Sequence, residues 1–337
     1  MQFKLLAAAV IASLPLVASA QSSVTIYGIV DASVAREDNG TPGGTRTLVN
    51  SGDQSTSRFG FKGVEDIGSG LKAIFNLEGG INVSTGMGDS ALFGRRAVVG
   101  LQGSFGTVTV GREYTPIAEV AKNSDIFGQG FYGTNLVAFG TDRLTRRISN
   151  SVNYSSVPMN GLRFGAGYGN GETLVGPSLD LMGIAVDYTV GGLYLGAGYH
   201  TVERLAIGDD KEMIVGAGYK MGNFAIKGNW MAADLAGPNN KYEQLGVGVS
   251  LAAGASTFFA NASEQKLDVG GAKGRTLALA YSYAFSKRTN VYASYARLSN
   301  NATARFGIAS AGSGLVPPAA AFGADPSNLS IGVRHFF

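Results

Sequence analysis

Apolar and polar residues alternate with a period of two through most of this chain. In 328–337, Leu329, Ile331, Val333, His335 and Phe337 share one face, with Ser330, Gly332, Arg334 and Phe336 on the other. In 274–286, Leu277, Leu279, Tyr281, Tyr283 and Phe285 oppose Thr276, Ala278, Ala280, Ser282 and Ala284. In 242–252, Leu245, Val247, Val249 and Leu251 oppose Gln244, Gly246, Gly248 and Ser250, and 162–170 repeats the pattern with glycine on the small face. A period of two is the mark of a strand whose two faces meet different surroundings. It predicts about sixteen strands, over 23–36, 56–67, 71–82, 91–102, 106–114, 147–156, 162–170, 180–190, 193–203, 211–221, 224–234, 242–252, 256–267, 274–286, 290–299 and 328–337.

The connections fall into two length classes. Tight turns at 67–70, 103–105, 191–192, 222–223 and 286–289 alternate with longer segments near 37–55, 115–146, 204–210, 235–241 and 300–327. Short turns on one rim and long loops on the other, with an even number of strands, describe a transmembrane β-barrel. One face of each strand is greasy and the other small and polar. A lipid-facing wall around a wet interior needs that arrangement, whereas a packed sandwich would put the large apolar residues inside.

The N-terminus changes the picture further. Lys4, the apolar stretch 5–17 and the small-x-small triplet Ala18-Ser19-Ala20 form an export signal, so cleavage is expected after residue 20 and a single barrel domain over 21–337. No other segment approaches ~20 consecutive apolar residues, which excludes helical spans. Glycine is abundant, at 50 of 337 residues, but it sits among aromatic and β-branched residues at strand spacing, which argues for curved strands and against disorder. The absence of cysteine excludes disulfides and thiolate metal sites. The net charge is +3, or +2 once Lys4 leaves with the signal, and gives no basis for nucleic-acid binding. With only His200 and His335, and no Gly-x-Ser-x-Gly, neither a metal site nor an enzyme is expected, and no cofactor. Aromatic residues near strand ends (Tyr27, Phe75, Tyr154, Tyr168, Tyr188, Tyr199, Tyr219, Tyr295, Phe337) suit interfacial girdles.

Several blocks carry a family resemblance. The run Ser22-Ser23-Val24-Thr25-Ile26-Tyr27-Gly28-Ile29-Val30-Asp31 resembles the first strand of the general diffusion porins of Gram-negative bacteria, in their beta-proteobacterial branch. Similar to that family too are 57–68 (SRFGFKGVEDIG) with 70–75 (GLKAIF), 92–97 (LFGRRA), 103–108 (GSFGTV) with Gly111-Arg112, and the terminal 332–337 (GVRHFF). The resemblance implies a 16-stranded antiparallel barrel in the outer membrane, a homotrimer with one pore per subunit, and a long third loop folded into each lumen. The third long connection, roughly 115–146, is the longest, and Phe127, Phe131, Tyr132, Leu136, Val137 and Phe139 make it too apolar for a purely solvated loop.

The resemblance also implies a pore constriction whose basic wall is Arg58, Arg95 and Arg147, an arrangement that biases ions and orients dipolar solutes. Strand alternation supports Arg58, which shares a face with Gly60 and Lys62, and Arg147, which shares a face with Ser149, Ser151 and Asn153 while Ile148 points out. For Arg95 the alternation is ambiguous, and Arg96 competes with it. Acidic partners are expected on the third loop, from Glu113, Glu119, Asp125 and Asp142, with Glu119 and Asp125 deepest in it. Fixed arginines opposed by few acids favour a weak to moderate anion preference. Phe337 resembles the assembly signal read by the barrel assembly machinery, and outer-membrane lipids and lipopolysaccharide are the expected surroundings. The other readings are a solute-specific channel, an adhesin or phage-receptor barrel acting through its loops, an outer-membrane lipase or protease, and a soluble secreted sandwich.

Overall fold

The structure is a computed structural model that describes residues 23–140, 143–171, 179–204, 208–238 and 241–337. The expected signal, 1–20, lies outside the described residues. In chain order the elements are β1 (Ser23–Asp38), β2 (Thr45–Ser51), β3 (Arg58–Gly68), β4 (Leu71–Gly80), β5 (Arg96–Gly103), β6 (Gly106–Tyr114), α1 (Pro116–Ser124), β7 (Arg147–Ser155), β8 (Leu162–Gly169), β9 (Leu181–Val190) and β10 (Leu193–Arg204). They continue with β11 (Gly208–Met221), β12 (Phe224–Asp234), β13 (Lys241–Ala253), β14 (Ser256–Leu267), β15 (Ala272–Ala284), β16 (Thr289–Asn300), the short pair β17 (Ile308–Ala309) and β18 (Gly314–Leu315), and β19 (Ser327–Phe336).

Every barrel strand pairs antiparallel with its neighbours, and β19 pairs with both β16 and β1, so the sheet closes on itself. β2 and β3 pair with successive halves of β1: Thr45–Ser51 lies against Ala32–Asp38, and Arg58–Val64 against Ser23–Ile29. They are one wall position broken by residues 52–57, which makes a 16-stranded antiparallel β-barrel. Closure removes the unpaired edges that an open sheet would present to lipid.

The large apolar side chains are on the outside. Val24, Ile26, Val30 and Val34 of β1 are exposed, as are Leu245, Val247 and Leu251 of β13, Leu277, Leu279 and Tyr283 of β15, and Leu329, Ile331 and Val333 of β19. The alternate residues turn inward, with Asp31, Ser33, Gln244, Thr276, Asn328 and Ser330 buried. A surface this apolar would not persist in water and is satisfied by a hydrocarbon surround.

The interior side of β8 to β13 is rich in glycine, and α1 lies on it. Pro116 occupies the first turn behind an extended Thr115, where its missing N–H costs nothing, and Glu119 and Lys122 match the helix dipole at the two ends. Ile117, Val120, Ala121 and Ser124 face the wall and are buried. A Cβ on Gly198 would lie 2.9 Å from Ile117, one on Gly196 2.9 Å from Val120, and one on Gly216 2.4 Å from Ser124. The inward glycines are therefore the seat of the helix. Burying Ile117 and Val120 there contributes about 1.5–3 kcal/mol each.

Three expectations need correction. The connection expected over 37–55 contains β2, which forms half of the second wall position. The strand expected to start at 91 begins at Arg96. Strict alternation also fails in β7. The register with β6 shifts between Gly111 and Glu113, and Asn150 has a φ of 50°. The extra residue reverses the phase, so Ile148, expected to point out, is 6% exposed and packs with Leu181 and Val202 on the inner side.

Candidate functional site

A cavity of about 620 Å³ lies between the walls of β3 to β9 and the segment that carries α1. Six cationic side chains line it (Arg58, Arg95, Arg96, Lys122, Arg146, Arg163), against four carboxylates (Glu78, Glu113, Glu119, Asp187). Their connections decide how much of that charge is compensated.

Glu78 of β4 gathers one end of the cluster. Arg95 Nε donates to its Oε1 at 2.7 Å, Arg58 Nε stands 3.4 Å from its Oε2, and Tyr27 Oη donates to Oε2 at 3.0 Å. One carboxylate thus serves two guanidinium groups. Tyr114, at the end of β6, gathers the other end. Its hydroxyl accepts from Arg95 Nη2 at 3.1 Å and from Arg147 Nη2 at 2.8 Å. The Arg147 guanidinium stacks on the Tyr114 ring at 4.6 Å, and that of Arg146 sits 5.6 Å from the same centroid. Arg146 also donates to Gln129 Oε1 at 2.9 Å, and burial followed by its arginine neighbours pushes its pKa down to about 10, which leaves it charged near neutral pH. Four arginines therefore surround one tyrosine and one carboxylate. Arginine suits such a ladder because its planar group stacks and holds its charge.

Two further pairs are matched locally. Arg96 donates to Glu113 Oε2 at 2.5 Å, and Arg163 to Asp187 Oδ2 at 3.0 Å. Glu119 and Lys122 sit exposed on α1, facing the cavity.

Arg58, Arg95 and Arg147 are brought together through Glu78 and Tyr114. Arg95 and Arg96 both turn inward, to different partners. Arg147 reaches Tyr114 by lying opposite it in register, not by the strand alternation invoked from sequence. Of the loop acids, Glu119 lines the cavity and Glu113 is tied to Arg96. Asp125 does not face the cavity: it is 3% exposed, and its carboxylate accepts from the backbone N–H groups of Phe127 (3.0 Å), Gln129 (3.1 Å) and Asn135 (3.4 Å) and from the Thr134 hydroxyl. It organises the turn 125–135, and burial raises its pKa. Asp142 lies outside the described residues. Sequence reasoning missed Glu78, Tyr114 and Arg146. Glu78 could have been found, since it shares the inward phase of β4 with Asn76 and lies opposite Gly60 and Arg96.

The tip of the segment is also anchored. Tyr132 Oη donates to Glu37 Oε1 at 3.0 Å, Phe131 N to Asp53 O at 2.7 Å, and Asn261 Nδ2 to Gly133 O at 2.8 Å. The 301–326 connection packs alongside. Arg143 lies over the rings of Tyr242 (4.5 Å) and Phe306 (5.7 Å), and Gly133 N donates to Ala309 O.

A sequence profile described as Gram-negative porin matches residues 7–303. The chain belongs to that family of porins. Outer membrane porin protein 32 of Delftia acidovorans is 30% identical to this porin over 95% of each chain. Among solved structures, an anion-selective porin from Comamonas acidovorans superposes with a TM-score of 0.81 at 28% identity, covering 94% of this porin and 100% of that chain. A trimer form of OmpT from Vibrio cholerae shares the fold, with a TM-score of 0.73 at 19% identity over 94% and 99% of the two chains. This porin is a Gram-negative outer-membrane β-barrel.

Proposed function

We propose that this porin is a passive aqueous channel for ions and small hydrophilic solutes, with a preference for anions set at Arg58, Arg95, Arg146 and Arg147. The observation that carries the reading is the imbalance at the cluster, four guanidinium groups against the single carboxylate of Glu78. An anion ~6 Å from one uncompensated guanidinium gains roughly 1–3 kcal/mol at an effective dielectric constant of about 20, which exceeds thermal energy. The segment that carries α1 narrows the lumen, and among its described residues Glu119 is the carboxylate that lines the cavity. The anion-selective Comamonas porin supports the sign of the preference.

The working unit is read as a homotrimer, as solved for the Vibrio relative, in a membrane of outer-membrane lipid and lipopolysaccharide. Residues 1–20 are read as the cleaved export signal, Phe337 as the assembly signal, and transport as passage without catalysis. The reversal potential of the folded porin in a planar bilayer under a KCl gradient tests the reading: an anion-directed potential supports it and a cation-directed one refutes the charge assignment.

A further inference from the structure

One buried pair on the wall ties down both ends of the segment that carries α1. His200 of β10 and Glu212 of β11 stand opposite each other in register and are 0% and 1% exposed. Glu212 accepts two hydrogen bonds from one residue, the Thr145 N–H at Oε2 (2.7 Å) and the Thr145 hydroxyl at Oε1 (2.7 Å). His200 Nε2 accepts the N–H of Ile117, in the first turn of α1, at 3.3 Å. An imidazole that accepts at Nε2 carries its proton on Nδ1, and His200 Nδ1 faces Glu212 Oε2 at 3.5 Å. Gly183 makes the space for the ring, since a Cβ there would lie 2.2 Å from His200 Cδ2. Thr115 closes the neck from the segment's own side, donating from its hydroxyl to Thr145 O (2.8 Å) and from its N–H to Arg146 O (3.1 Å).

A carboxylate this buried is costly unless donors surround it, and removing one partner leaves the other uncompensated. Here the donors come from the residue immediately before Arg146 and Arg147. The charge on Glu212 is thus exchanged for a fixed position of those two arginines relative to Tyr114. We infer that Glu212, with His200 behind it, is a positioning residue for anion preference: it holds Thr145 and, through His200, Ile117, and so sets where Arg146 and Arg147 stand. The inference rests on the proposal that the arginine cluster selects anions.

The test is E212Q, with two readouts on the folded porin. The amide keeps the size of the side chain but loses one of the two acceptors that hold Thr145. Amide hydrogen exchange of residues 115–118 and 143–147 in detergent reports the fastening, and the reversal potential under a KCl gradient reports the selectivity. T145V, made on the segment and not on the wall, serves if E212Q does not fold. The expected result is faster exchange at both ends and an anion-to-cation permeability ratio that falls toward unity by about twofold or more, the low end of couplings between residues in contact. In the double variant E212Q/T145V the second change should add little. Unchanged exchange overturns the fastening whatever becomes of the selectivity reading. Faster exchange with an unchanged ratio overturns the positioning role and leaves a structural staple. A parallel R58E/R147E variant that leaves the ratio unchanged would instead sink the selectivity reading and, with it, the positioning role, while the exchange result still reports on the fastening.

Discussion

Gly248 of β13 and Ile126, just beyond α1, are fitted to each other: a Cβ on the glycine would lie 2.2 Å from Ile126 Cγ2. The contact extends the row of inward glycines under the helix and places the segment by exclusion as well as by hydrogen bonds. Gly248→Val should force the segment off the wall at a cost of about 1–3 kcal/mol, the usual range for overpacking. The heat-induced transition of the barrel should move down, and open-channel conductance should differ from that of the unmodified protein. Val247→Ala, on the exposed face of the same strand, should leave conductance alone. A wild-type conductance in Gly248→Val would show that the segment does not depend on this seat.

Glu78 compensates Arg58 and Arg95 together. Glu78→Gln keeps the shape and removes the charge, so the anion-to-cation permeability ratio should rise. It should also destabilise the barrel by about 3–5 kcal/mol at most, because Arg95 is buried beside it. A ratio that falls in this variant would mean that Glu78 matters through geometry and not through charge.

Tyr114 holds Arg95 and Arg147 by one hydroxyl. Tyr114→Phe keeps the ring on which Arg147 stacks and removes both hydrogen bonds, each worth about 1.5–3 kcal/mol because the donors are charged. The arginines should lose order, and open-channel current noise should increase while the sign of the selectivity is kept. Noise equal to that of the unmodified channel would place the ordering in the stacking alone.

Phe337 closes the barrel against Gly28. The two exchange backbone hydrogen bonds at 3.1 Å each, and a Cβ on Gly28 would come within 2.2 Å of the Phe337 ring. Deleting Phe337 should lower the amount of heat-modifiable barrel recovered from outer membranes. Gly28→Val should do the same through the clash. Normal recovery of both variants would remove any special role for this pair.

The barrel was legible because alternation is a backbone property that lipid on one side and water on the other make visible in residue type. β13 and β19 face the way their sequences say. Legibility ended where the backbone departs from alternation. Thr45-Arg46-Thr47 looks like loop because β2 is short and polar, and only its pairing with β1 reveals it. Ile148 was misplaced because one extra residue near Asn150 reverses a phase that no residue type announces. Arg58, Arg95 and Arg147 are named by the family resemblance, whereas Arg146 and Glu78 are not; the sequence points to acids on the loop and not to the wall carboxylate. Asp125 was misread for a tertiary reason: its carboxylate is consumed by the turn that it holds together. His200 and Glu212 could not have been paired without the register of β10 and β11.

Anion preference set by the arginine cluster is tested by the reversal potential of the unmodified porin and of Arg58→Glu/Arg147→Glu in a planar bilayer under the same KCl gradient. An anion-directed potential is expected for the first and a shift toward the cation side for the second. A potential that is the same in both would contradict it.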